Sequence, residues 1–91
     1  MLLGRVVGTI VATRKDPRLE GKKLLIIKPI DASTGKDEGG YVVSVDTVQA
    51  GFKERVLIVA GSSARHASGC KDCPVDSAVI GIVDQVELNT R

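Results

Sequence analysis

Apolar and polar positions alternate from the start of the chain. Leu2, Gly4, Val6, Gly8, Ile10 and Ala12 share one side at period two, opposite Leu3, Arg5, Val7, Thr9, Val11 and Thr13. That spacing predicts a long strand over residues 2–13 with the first set turned inward. Glycines among the inward positions mark a bend or a close backbone approach, and so a curled sheet. The charged run Arg14, Lys15, Asp16, Pro17, Arg18 breaks the pattern, and a polar turn at Glu20, Gly21 and Lys22 leads into KLLIIKPI, a second strand. Pro29 has no N–H to donate, which places that strand's end at an edge or a bulge. DASTGKDEGG, residues 31–40, holds turn formers and a single apolar residue, Ala32, the composition of a mobile loop. Tyr41, Val43 and Val45 alternate with Val42, Ser44 and Asp46 in a third strand, and Gln49, Ala50 and Gly51 turn towards a fourth, RVLIVAG. AVIGIVDQVEL, residues 78–88, is the fifth. Between the last two, residues 61–67 suit a short helical turn, with Ser62 or Ser63 placed to accept from its first free N–H groups.

Five strands with one short helix between the fourth and fifth predict an all-β fold, a small Greek-key barrel of the oligonucleotide/oligosaccharide-binding type. Leu24 to Ile27 and Val56 to Val59 are apolar at consecutive positions, whereas antiparallel strands with one wet face alternate. One side of each strand fills the barrel. The other side needs a second apolar partner, and with no spare helix in the chain to cover it, that partner is expected to be another copy of the protein. Four or so branched side chains, at roughly 1.5 to 3 kcal/mol each on full burial, match the whole stability of a domain this size, so assembly should be obligate.

Length and composition narrow the reading further. With 91 residues the chain is expected to be one domain, residues 1–91. One Phe, one Tyr and no Trp leave the core to Val, Ile, Leu and Ala, which favours strands. Thirteen basic and eleven acidic side chains give a net charge of +2, far from the clustered basic surface that phosphate-backbone binding needs. A barrel binding single-stranded nucleic acid is the second reading, ranked below assembly because only Tyr41 and Phe52 are available to stack bases. No run approaches the roughly 18 to 20 apolar residues that span a bilayer, and the opening stretch carries Arg5, so neither a membrane anchor nor a signal peptide is expected. Two cysteines three positions apart do not staple a fold, which suits a reducing, cytosolic setting.

The stretch GSSARHASGCKDCPVD, residues 61–76, concentrates the candidate chemistry. A structural zinc site takes four Cys or His ligands, and the chain offers Cys70, Cys73 and His66 only, unless symmetry gathers ligands from several subunits. Redox work by Cys-x-x-Cys needs a following helix to lower the thiol pKa, whereas here Pro74, Val75 and Asp76 lead into a strand. A loop with two incidental thiols is the preferred reading. Ser62 and Ser63 beside His66 lack the second glycine of a nucleophile elbow, and His66 reads as an exposed helix residue. No catalytic, cofactor-binding or metal-binding residue is assigned. Gly61, Ser62, Ser63, Ala64 and Arg65 are instead read as a subunit-interface element, with Gly61 giving a tight exit from the fourth strand and Arg65 reaching a neighbour. For Asp46, Asp76 and Asp84 the default is a solvated or turn-capping carboxylate; pairing with Arg65 or Arg5 across a subunit boundary is the alternative.

Three blocks in order resemble the EutN/CcmL family, the vertex proteins of bacterial microcompartment shells. They are GRVVGTIVATRKDPRLEGKKLLIIKP, VDTVQAGFKERVLIVAGSSAR and PVDSAVIGIVDQV. The resemblance covers nearly the whole chain. It implies a structural, non-enzymatic protein whose five-stranded barrels form a pentamer at the corners of a polyhedral shell, with hexameric shell proteins as partners around the rim. It also implies that the Gly61–Arg65 segment lies near the five-fold axis and borders a narrow pore. Small changes in the angle between identical barrels decide whether five or six close a ring. Gln49 and the bulky Phe52-Lys53 depart from the glycine-rich turn the family often has there, a change expected to alter a subunit contact.

Overall fold

The computed structural model describes residues 1–12, 16–67 and 76–88. Five strands form a closed barrel in the order β1-β2-β3-β5-β4: β1 is Leu2–Ile10, β2 Lys23–Pro29, β3 Val42–Asp46, β4 Arg55–Ala60 and β5 Ser77–Ile82. All neighbours run antiparallel except β3 and β5, which meet in parallel through Val45 opposite Ala78 and Asp46 opposite Val79. The all-β barrel, its five strands and a helical turn between β4 and β5 are as the sequence predicts. That turn is a 3-10 helix, Gly61–His66.

The inner face carries Val6, Leu25, Ile27, Val56, Ile58 and Val79, all buried, with Ala50 closing one end. Gly4 is the close approach anticipated in the first strand: a Cβ there would stand 2.4 Å from Ile27 Cγ2. Gly8 is not. A β-bulge between Val6 and Gly8 shifts the register, so that Gly4 and Val6 face in, while Gly8 and Ile10 stand opposite Ile26 and Leu24 on the outer face. A bulge adds one residue to a strand and reverses the side of everything after it, which a period-two reading through residue 13 cannot register. Ser44 and Ser77, both buried, share a 2.6 Å hydrogen bond beneath the parallel pairing, so neither hydroxyl is left unsatisfied.

The fifth strand also stops short of the predicted Leu88. Val83 N–H donates to the Arg55 carbonyl, and because β4 begins at Arg55 the ladder between β4 and β5 ends there. Residues 31–40 fold back into a compact hairpin-like excursion. Asp31 Oδ1 accepts from the N–H of Ser33 and Thr34, Asp31 N–H donates to the Lys36 carbonyl, and Ile30 bridges to Asp37. The Ser33 hydroxyl, which donates to the same oxygen and has the largest effect, and the Ser33 and Thr34 N–H groups hold the Asp31 carboxyl below the usual carboxylate range.

One element went unseen in the sequence, the 3-10 turn Pro17–Leu19. Asp16 caps it by accepting from Arg18 N–H at 2.8 Å, and Pro17 supplies a pre-set φ at the first position. The Arg18 guanidinium binds the same carboxylate, and together these bonds lower the Asp16 pKa to about 2. A carboxyl depressed in the folded state stabilises above its unfolded pKa and loses that contribution as pH falls towards 2. NMR titration should therefore place the Asp16 midpoint near 2, moving up towards the ordinary range in Arg18→Ala; a wild-type midpoint near 4 would show that the contact does not persist in solution.

Candidate assembly surfaces

The consecutive apolar runs resolve into two faces. Leu25, Ile27, Val56 and Ile58 point into the barrel, and Leu24, Ile26, Leu57 and Val59 are half-buried on the outside. Part of that outer face is covered from within the chain. Ala64 of the 3-10 helix is fully buried and packs with Val45 and Ala78, with Leu19, Leu24, Val59, Ala67 and Ile80 around them. The expectation that the chain has no helix of its own to cover the barrel is thus corrected for this half. A six-residue 3-10 helix suffices because alanine lets its backbone lie close to the strands.

The other half stays open. Val7, Ile10, Ile26, Tyr41 and Val43 line a shallow groove across β1, β2 and the start of β3. Tyr41 is 69% exposed and Val43 48%, in a groove with few polar atoms. The bulge at Val7 contributes directly, since it turns Val7, Gly8 and Ile10 outward beside Ile26. A glycine inside an alternating run was the available signal for it.

Beside this groove a row of cations crosses the outer surface: Arg5 stands directly opposite Lys28 on one side and Arg55 on the other. Each finds a separate acceptor. Arg5 pairs with Asp37 at 2.9 Å, Lys28 donates to the Gly39 carbonyl and lies over the Tyr41 ring, and Arg55 donates to the Asp84 carbonyl at 3.0 Å. Arg5 is therefore engaged within its own chain by Asp37.

Asp46 does what the default reading assigns, capping a turn. Its carboxylate accepts from the N–H of Val48 and Ala50, both at 3.0 Å, and Lys23 Nζ holds the Ala50 carbonyl at 3.2 Å. This clamp holds Gln49 at φ +58°, and Lys53 follows at φ +74°, left-handed conformations that glycine adopts without strain. The turn presents Phe52, 66% exposed, with the Lys53 ammonium over its ring. Phe52 and Tyr41 line separate grooves, so the two rings do not make one stacking platform.

Of the segment read as an interface element, Gly61 leaves β4 at φ +66° with its N–H bonded to the Asp76 carbonyl at 2.8 Å, and Ala64 is buried. The cap position falls to Ala60, which has no side-chain oxygen, not to Ser62 or Ser63. His66 is exposed. The side chains of Ser62, Ser63 and Arg65, and residues 68–75 with Cys70 and Cys73, lie outside the described residues. Among the described residues no three His, Cys, Asp or Glu side chains gather as metal ligands.

Comparison with known proteins settles the family. The profile described as "Ethanolamine utilisation protein EutN/carboxysome" matches residues 1–84. The chain belongs to the EutN/CcmL family. It is 44% identical over 91 residues to the carboxysome shell vertex protein CcmL of Synechococcus elongatus, covering all of this chain and 91% of the relative. It is 46% identical over 87 residues to the microcompartment shell vertex protein GrpN of Rhodospirillum rubrum, covering 96% of this chain and 97% of the relative. Among solved structures, CcmL of Gloeobacter violaceus superposes with a TM-score of 0.92 at 43% identity, over all of this chain and 93% of that one. The pentameric shell protein GrpN of R. rubrum gives 0.85 at 43% identity, over 99% and 100%. The EutN/CcmL barrel is the fold described above, down to the whole length of the chain.

Proposed function

We propose that this protein is a structural vertex subunit of a bacterial microcompartment shell, working as a ring of five copies and catalysing no reaction. The end-to-end likeness to a pentameric shell protein carries this reading. The physical reason for assembly is the open half of the outer face, where Ile26 and Val43 need a neighbour to leave water. A flat layer of hexagonal tiles closes into a polyhedron only where five-fold units bend it, so the ring's partners are hexameric shell proteins meeting its rim. Gly61 to Arg65, rising from the top of β4, are the residues we place towards the ring axis. Native mass spectrometry should give five subunits per particle, and sedimentation velocity should show no monomer at micromolar concentration. A stable folded monomer would defeat the reading.

A further inference from the structure

A ring whose subunits all face the same way uses two different patches on each subunit, because its interface is heterologous. The geometry points to a strand-addition site as part of that contact: we propose that the segment Val86–Leu88 of one subunit lies extended along the free edge of β1 in the next. This inference rests on the ring assembly proposed above.

Three observations carry it. First, β1 is paired on both edges only over part of its length. Beside β4 its ladder runs from Leu2 to Arg5, and Val6 closes it with bonds to Glu54 and Lys53 at the turn. From Gly8 to Ile10 β1 pairs with β2 alone, and among the described residues no strand ladder takes the second edge. Second, that edge borders a groove rather than flat surface. Val6, Gly8, Thr9 and Leu25 form its floor, Phe52 stands at its wall and Lys23 lies at its rim. A free backbone edge beside an apolar floor is what sheets use to accept an added peptide strand. Third, the chain carries a segment with the complementary pattern that joins no strand ladder among the described residues. After β5, Gln85 donates to Glu87 at 2.8 Å, which brings these two side chains together on one side of the segment. Val86 and Leu88 take the other side, 37% and 53% exposed. Their side chains suit the apolar floor.

An unpaired edge next to an exposed apolar strand-like segment is a liability that folded proteins cover. One contact covers both. The bulge at Val7 and the strained turn at Lys53 acquire a reason, since the first opens the edge at Gly8 and the second sets the Phe52 wall.

Disulfide trapping tests this in the full chain carrying Cys70→Ser and Cys73→Ser. Thr9→Cys and Leu88→Cys are made in separate samples, mixed, dissociated and reassembled. A cross-linked dimer band that appears in the mixture and in neither sample alone is expected, together with amide exchange at Gly8 to Ile10 slowed by about tenfold or more in the assembly and released in Val86→Asp/Leu88→Asp. Absence of the mixed dimer, or exchange unchanged by the double aspartate variant, overturns the proposal. So does a disulfide formed within one chain when both cysteines are placed on it. Native mass spectrometry of the parent assembly separates the two readings: five subunits with unprotected Gly8 to Ile10 removes strand addition and leaves the vertex assignment standing.

Discussion

Replacing Ile26 and Val43 together by aspartate is expected to convert the assembled protein into folded single barrels. Both side chains point out of the barrel into the open groove and are opposite one another across β2 and β3. The inner face, Leu25, Ile27 and Ser44, is untouched, so the barrel keeps its core. In the ring each side chain leaves water, a contribution of roughly 1.5 to 3 kcal/mol apiece, and an aspartate in the same place must instead be buried without a partner. The sum corresponds to a loss of affinity of about a thousandfold or more per seam. Sedimentation velocity should show a species of single-chain mass, and far-ultraviolet circular dichroism should retain the strand signal of the parent. A ring that persists unchanged would mean that this groove is not the seam.

The second large effect is expected inside the barrel. Gly4→Ala adds a methyl group 2.4 Å from Ile27 Cγ2, 3.2 Å from Ile58 Cδ1 and 3.3 Å from the Lys28 carbonyl oxygen. The Ile27 methyl branches at Cβ and has little freedom to retreat, and the carbonyl belongs to the β2 backbone. Overpacking of this kind costs about 1 to 3 kcal/mol, against a total of about 5 to 14 kcal/mol for a domain of this length. The melting temperature should fall by roughly 5 to 20 °C. Ile27→Ala removes the branch that collides, so Gly4→Ala with Ile27→Ala should cost clearly less than the sum of the two single changes. Strict additivity would show that the collision is relieved some other way and that glycine at position 4 is not required for closure.

The two residues illustrate what alternation along a chain conveys and what it leaves out. Gly4 was legible as a close approach because glycine in an inward position of a strand has few other uses, and the same reasoning failed at Gly8, where the bulge had already moved the chain to the other face. The strand ends were governed by partners: β5 stops where β4 begins, although VDQVEL continues the pattern. Asp46 was legible as a turn cap from its place after a strand. That its two oxygens hold Val48 and Ala50, and so a left-handed Gln49, follows from the path of the turn in space.

The sequence alone determined the all-β barrel, its five strands, and an outer face too apolar to remain in water, because these depend on periodicity and on the count of branched side chains. Tertiary structure decided which part of that face is left for a neighbour. Leu24 and Val59 are covered by Ala64 folding back over the sheet, while Ile26 and Val43, no more hydrophobic and two residues away, are not. Residues 64 and 24 are distant in the chain, and burial depends on distance in space, which only the closed fold sets.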